Sequence, residues 1–326
     1  MFPQFSRHWV PLCLAADVRA DRPLALSLAN ERLVLFRNGE GHPCALRDVC
    51  PHRGVALSLG RVERGQITCP FHGWRFDGTG QCRHVPWTPD AKLDTLSATA
   101  LPIREKGGLI WIFTAREAEG EPRVPEILLQ PGLRLTAQSF HWRAHWTRVM
   151  ENMLDTPHLP FVHGATIGKG LRGRTNEKME MIWQETEYGA QISAIRAGEE
   201  PRQNLRYHFP NIMELVIDPG GRTMRMLAVC SPAQPGETRL TIYTLRNFAK
   251  SRLFDPLFAR VNARIAREDQ AIIESSFPQE VPLARDERSV ASDAPTLAFR
   301  KIWFSRIKPD RSVDDSAIEA RQENGT

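Results

Sequence analysis

Four side chains in the first quarter of the chain are of the types that hold soft and borderline metals. The segment DVCPHRGVALSLGRVERGQITCPFHGW carries Cys50, His52, Cys69 and His72. The pattern is C-x-H, sixteen residues, then C-x2-H. A Cys2His2 set can close a structural zinc tetrahedron. Zinc modules, however, usually pair thiolate with thiolate and imidazole with imidazole, whereas each loop here offers one of each. That distribution suits a [2Fe-2S] cluster with two thiolates on one iron and two imidazoles on the other. Gly54 and Gly73 follow the ligands, where backbone must approach inorganic sulfide closely. Pro51 and Pro70 stiffen the two loops. Zinc remains the competing occupant. Cys13, Cys44, Cys82 and Cys230 have no partner spacing and read as small buried apolar residues.

A second constellation lies in MENMLDTPHLPFVH, with Asn152, Asp155, His158 and His163. Asp155 and His158 are three apart and would share a helical face. His158 and His163, five apart, would diverge on a straight helix. Pro160 is therefore expected to turn the chain at Leu159 and bring His163 back. Two imidazoles and a carboxylate among Leu, Phe and Val need partners if buried; satisfied core histidines are the alternative. Further on, Leu253, Leu257, Val261, Ile265, Ile272 and Ile273 suggest the apolar stripe of a long helix over about 252–276. Asp269 falls on that stripe. A carboxylate on an apolar face needs a cation or a donor, and an arginine ion pair is the alternative. Glu268, off the stripe, is expected to be solvated. Two histidines and one carboxylate form a facial iron-binding triad with open positions.

The elements that must position these residues are of two textures. Up to about residue 118 the chain reads as short β segments, including ERLVLFRNG, GQITCPF and GGLIWIFTA, punctuated by Asn38-Gly39 and Asp77-Gly78. The polar stretch 116–126 reads as a linker. Beyond it come a strand in RLTAQSFHWRAHW, a helical piece near VMENMLDTPHL, two strand pairs (KMEMIWQETEYGAQISAIRA and TMRMLAVCSPAQPGETRLTIYTLRNF) and the long helix. Strands followed by helices argue an α+β fold with an antiparallel sheet, and domains of 1–118 and 119–326. The 326 residues are 41% hydrophobic and 25% charged with net charge +5, which excludes disorder. The basic excess is scattered, so nucleic acid is not an expected partner. Long apolar runs and a signal-peptide pattern are missing, so no membrane span and a cytoplasmic location are expected. Six cysteines in that setting are not expected to form a disulfide framework.

Together, CPHRG…CPFHGW and N-x2-D-x2-H-x4-H followed by ED-x4-E (Glu268, Asp269, Glu274) resemble the α-subunits of Rieske non-haem iron oxygenases. The two-residue gap between Asn152 and Asp155 is similar to the monooxygenase and demethylase branch, such as vanillate and dicamba demethylases. Val55 and Phe71 stand where Rieske proteins of respiratory complexes carry disulfide cysteines, which separates this chain from them. The resemblance implies an N-terminal all-β Rieske domain and a helix-grip-like catalytic domain. It implies a Rieske cluster on Cys50, His52, Cys69 and His72, and mononuclear Fe(II) on His158, His163 and Asp269. Asn152 and Asp155 complete the catalytic set. Asp155 would orient His158 and accept from His72 of the neighbouring chain in a ring of three. The implied activity is that of a terminal oxygenase, using O2 and external electrons to hydroxylate or oxidatively demethylate an aromatic or otherwise cyclic substrate. No G-x-G-x-x-G opens a βαβ unit, so a separate NAD(P)H-dependent reductase, with or without a ferredoxin, is expected. A ring-dihydroxylating dioxygenase, a Rieske electron carrier and a zinc-stabilised binding protein are the alternatives. Substrate contacts are not legible: Met181, Ile182, Trp183 and Met226 read as core, and Arg196, Arg202 and Arg206 as solvated or carboxylate-binding.

Overall fold

The computed structural model describes residues 1–196 and 200–308. The chain divides into two compact units between Val124 and Pro125. That break lies inside the polar 116–126 stretch but later than 118. Residues 119–121 stay with the first unit because they are tied to it: the Trp9 Nε1–H donates to the Glu119 carbonyl at 3.0 Å, Arg7 pairs with Glu119, and Arg104 reaches Glu121 at 2.9 Å. The segment after 308 and the side chain of Arg202 lie outside the described residues.

The first unit is built from three small antiparallel sheets. The strands β1 (Trp9–Leu14), β11 (Leu109–Phe113) and β10 (Ile103–Lys106) form one. A second runs β2 (Leu24–Leu28), β3 (Glu31–Arg37), β4 (Pro43–Arg47), β9 (Ala100–Leu101). The third is β5 (Arg61–Glu63), β6 (Gln66–Thr68), β7 (Arg75–Phe76), β8 (Cys82–His84). Val34, Phe36, Leu46, Leu57, Ile67 and Phe76 fill the core beneath the metal-ligand loops, together with Cys50 and Cys69. The six cysteines are free and buried, in keeping with their expected roles as ligands or packing.

In the second unit an antiparallel sheet runs in the order β12 (Arg134–Trp142), β18 (Thr238–Arg246), β17 (Met224–Pro232), β16 (Ile212–Val216), β15 (Arg202–His208), β14 (Gly189–Arg196), β13 (Met179–Thr186). The expected strand pairs are present. Two further strands, β15 and β16, lie between those pairs and were not among the expected elements. β15 alternates Leu205 and Tyr207, both buried, with polar residues, and β16 carries Glu214, which is only 1% exposed. Charges of that kind look like loop until their partners are known. Glu214 meets His208 Nε2 at 2.8 Å and Arg225 at 3.4 Å. Arg206 also faces Glu214, at 3.5 Å, rather than only solvent or a substrate.

Helices α1 (Trp146–Leu154), α2 (Leu159–Val162), α3 (Asp255–Ile273) and α4 (Ala294–Ile302) complete the unit. α1 is pinned to α4 by buried charges: Arg300 Nε donates to Glu151 at 2.5 Å, and Glu287 accepts from both Arg148 and Arg300 at 2.6 Å. α3 does not bury the stripe expected of it. Leu253 is 88%, Leu257 57% and Val261 49% exposed, while Asn262, Ala266 and Asp269 are buried. A strict i, i+4 repeat advances 40° per step, so Leu253 and Asp269 end about 160° apart around the helix. Spacings of four and three residues, as in 262, 266 and 269, keep to one face. Among the described residues no helix is long and apolar enough to cross a membrane.

The start of α3 is clamped to the sheet. Asp255 accepts from Arg134 Nη2 and Arg246 Nη2, each at 2.5 Å. Arg246 is fully buried and lies 4.2 Å from the Phe258 ring centre. Arg134, then Arg246, hold the Asp255 carboxyl down at about 2, below its ordinary 3.8. We expect Asp255→Asn to cost about 1–3 kcal/mol at pH 7, less than for a fully enclosed pair because Asp255 keeps solvent contact. The depressed pKa makes this contribution complete above about pH 4 and lost as pH falls towards 2. Urea unfolding of both proteins should show a gap that narrows over that window; a gap independent of pH would refute the charge clamp.

Candidate metal centres

The two ligand loops of the first unit share one backbone pattern. The Cys50 N–H donates to the Val55 carbonyl at 2.8 Å, and the Gly54 N–H to the Cys50 carbonyl at 2.9 Å. Likewise the Cys69 N–H donates to Trp74 at 2.8 Å and the Gly73 N–H to Cys69 at 3.1 Å. Gly54 and Gly73 have φ of 70° and 73°, open to glycine at little cost, and a Cβ on Gly73 would press on Pro86 at 3.2 Å. Asp48 braces the first loop, accepting from the Ser58 N–H at 2.7 Å and its hydroxyl at 2.6 Å. Cys50 and Cys69 are 2% exposed. The His52 and His72 rings lie 4.6 Å apart, and His52 stacks on Trp74.

The donor chemistry of these loops fits a cluster. His52 Nδ1 is buried without a hydrogen-bond partner. Burial, then the His72 and Arg53 charges, lower the His52 pKa, which favours the neutral ring that a ligand needs. Burial pushes the Cys50 thiol up to about 11, so a thiolate there calls for a cation.

In the second unit α1 ends at Leu154, and Asp155 is its C-cap in extended conformation, not a helical neighbour of His158. The two nevertheless meet, His158 Nδ1 lying 3.5 Å from Asp155 Oδ2. Pro160 does not break the chain at Leu159. It occupies the first turn of the four-residue α2, where its missing N–H costs nothing. His158 and His163 cap the two ends of that turn, with ring centres 5.2 Å apart. Gly168 folds back on it so tightly that a Cβ would lie 1.8 Å from the Leu159 carbonyl oxygen.

Asp269 comes to this pair from α3. Its Oδ1 is 3.5 Å from His158 Nε2 and 2.9 Å from His163 Nε2, and one ligand atom from each of the three residues fits within 4.8 Å. Asp269 is 4% exposed, and the 2.9 Å contact lacks hydrogen-bond alignment, so Oδ1 is buried with no donor. An acceptor in that state, facing two imidazole nitrogens, fits a cation. The Asn152 amide nitrogen, also expected at this site, is buried without a partner one turn earlier on α1.

Glu268 is half-buried and engaged on both carboxylate oxygens, where a solvated side chain was expected. Its Oε2 lies 2.8 Å from His163 Nδ1 and accepts from the Thr166 hydroxyl at 2.8 Å, while Oε1 accepts from Arg264 at 3.2 Å. Burial pushes the Glu268 pKa up, but His163, Thr166 and Arg264 outweigh it and hold it down. For His163 burial acts downward, and Asp269 and Glu268 together raise it. Beside α2 a cavity of about 220 Å³ is lined by Thr156, Pro160, Phe161, Arg174, Met179 and Arg196 among others.

Comparison with known proteins gives this pair of sites its setting. The Rieske [2Fe-2S] domain family matches residues 8–97, and the vanillate O-demethylase oxygenase C-terminal domain family matches residues 142–308. The chain belongs to the Rieske non-haem iron oxygenases, whose chains carry a Rieske [2Fe-2S] cluster and use mononuclear iron. Methylxanthine N1-demethylase NdmA of Pseudomonas putida is 27% identical over 97% of this chain and 93% of its own length. Chlorophyllide a oxygenase of Chlamydomonas reinhardtii is 28% identical over 81% of this chain, which spans only 42% of that protein. The solved structure of Pseudomonas putida CBB5 NdmA superposes with a TM-score of 0.76 at 26% identity, covering 91% of this chain and 89% of that one. Dicamba monooxygenase bound to dicamba, at 21% identity and TM-score 0.74, over 91% of this chain and 96% of that one, shares the fold.

The purified protein is expected to hold about three irons and about two acid-labile sulfides per chain. Cys50→Ser should lose the cluster while the second unit keeps its own unfolding transition. Iron and sulfide analysis with calorimetry checks both, and stoichiometric zinc without sulfide would refute the assignment of the loops.

Proposed function

We propose that this chain is the terminal oxygenase of a multicomponent system that hydroxylates or oxidatively demethylates a cyclic organic substrate. The observation that carries this reading is the buried convergence of His158, His163 and Asp269, with Oδ1 lacking a donor, in a chain that also holds the Cys50, His52, Cys69, His72 loops. In it, Cys50, Cys69, His52 and His72 hold the cluster, and His158, His163 and Asp269 hold the iron, which when bound supplies O2 activation. In net terms one oxygen atom enters a substrate C–H bond and the other leaves as water, consuming two electrons and two protons. On an O- or N-methyl group the resulting hydroxymethyl collapses by breaking its C–O or C–N bond, giving formaldehyde and the free hydroxyl or N–H group. That a demethylase of full-length similarity exists supports this branch.

The protein's own groups set up the transfer. Asp155 has a side chain one-third exposed and lies beside His158, leaving a free flank for a second partner. His72 is exposed, next to Phe71 at 60% exposure. We assign Asp155 as the bridge between His158 and His72 of a neighbouring chain in a homotrimer, because a head-to-tail contact repeated by rotation closes a ring. Asn152 offers its buried amide nitrogen as a donor at the same site. The cavity beside α2 is the proposed way in for substrate, with Arg174 and Arg196 at its wall. Electrons come from a separate NAD(P)H-dependent reductase, directly or through a ferredoxin, in the cytoplasm.

Oxygen uptake and product analysis with a surrogate reductase test the reading. His158→Ala, His163→Ala and Asp269→Ala should each abolish turnover while the reduced cluster keeps its spectrum. An active Asp269→Ala protein would move the third ligand elsewhere. Asp155→Asn should retain both metals yet slow single-turnover oxidation of the pre-reduced cluster by roughly 10- to 100-fold. An unchanged rate would remove the bridge, and the trimer inferred from it.

A further inference from the structure

The two histidines of the second unit are held very differently. His163 has a carboxylate against each ring nitrogen: Asp269 Oδ1 at 2.9 Å from Nε2, and Glu268 Oε2 at 2.8 Å from Nδ1. The two acids are consecutive on α3, so their side chains leave the helix about 100° apart. The imidazole, 1% exposed, fills the wedge between them. Glu268 is itself fixed from two sides, by the Thr166 hydroxyl and by Arg264 one turn earlier on α3. Thr166 in turn belongs to the tight bend closed on the His163 carbonyl, to which its N–H donates at 2.8 Å. Histidine, acid, threonine and bend thus form one closed loop of contacts. His158 has nothing comparable. Its Nδ1 lies 3.5 Å from Asp155, beyond a hydrogen bond, and is left without a partner.

We propose that Glu268 is the positioning residue of the mononuclear site: it makes the His163–Asp269 pair the fixed anchor for the metal and leaves His158 as the adjustable ligand. The inference rests on the reading of His158, His163 and Asp269 as ligands. A carboxylate accepting from Nδ1–H selects the tautomer whose Nε2 lone pair is free, and makes that nitrogen a stronger donor. Because Glu268 and Asp269 share one helical segment, any movement that presents Asp269 also sets the ring of His163. His158 is attached to this unit only through the short α2 turn and the half-made contact with Asp155. It is therefore the ligand whose orientation can follow events at Asp155.

The test uses the full-length protein with its cluster oxidised and the mononuclear metal removed by chelation. Co(II) is then titrated by equilibrium dialysis, with the electron paramagnetic resonance of bound Co(II) as a second readout. Glu268→Gln should weaken Co(II) binding roughly 10- to 100-fold and broaden the Co(II) spectrum, while Asp155→Asn should stay within about threefold of the parent. Thr166→Val, which removes one support of Glu268 and leaves every carboxylate in place, should give a smaller loss in the same direction. It decides the matter if Glu268→Gln does not fold. Parent-like affinity and spectrum in Glu268→Gln, or in Thr166→Val where that variant decides, would overturn the proposal, as would an equal loss in Asp155→Asn. A His163→Ala protein that still binds Co(II) like the parent would instead overturn the ligand reading on which it rests.

Discussion

A carboxylate buried against two imidazoles, with an oxygen that no donor reaches, is the constraint around which the second unit is organised. Asp269 in that position is expensive unless a cation shares it. The neighbouring structure brings the three groups together from α2 and α3. α1 stops at Asp155, α2 is a single turn whose two ends are the histidines, and Gly168 closes the turn against the Leu159 carbonyl. Arg264, which precedes Asp269 on α3, is turned to Glu268 instead. Such a site is incomplete by construction, which is a state proteins keep for ligands.

The first unit meets a similar requirement with different means. Its two loops repeat the same pair of backbone hydrogen bonds, but the histidine stands two residues after the cysteine in one and three after it in the other. The offset gives the two rings different settings on otherwise equivalent frames. His52 is stacked on Trp74 with Nδ1 enclosed, whereas His72 is exposed. One imidazole is thereby half-buried against an indole, and the other stands at the surface where charge can leave or arrive.

How far the sequence could be read depended on how local each feature is. The Cys50-to-His72 pattern is carried by two short loops, and it was legible from spacing. The burial of Asp269 beside His158 and His163 was also expected, yet the supporting argument was wrong: the strict four-residue stripe from Leu253 rotates away, and Asp269 is buried with Asn262 and Ala266 instead. Glu268 was misjudged because adjacent acids on a helix look alike until the position of His163 is known. β15 and β16 were missed because their charges, Arg206, His208 and Glu214, pair with one another and with Arg225 across adjacent strands. Cross-strand pairing of buried charges leaves no apolar alternation to read.

The clamp at Asp255 has a mechanical meaning. Asp255 and Asp269 stand fourteen residues apart on one uninterrupted helix, a separation of about 21 Å at the usual rise. α3 therefore behaves as a stiff lever, fulcrum at the arginines and tip at the metal-facing oxygen. A tilt of about 1.5° at the fulcrum swings the tip by about half an ångström, which is the tolerance of a preorganised site. Two guanidinium groups at the other end of the helix thus act as an alignment mount for a carboxylate they never touch.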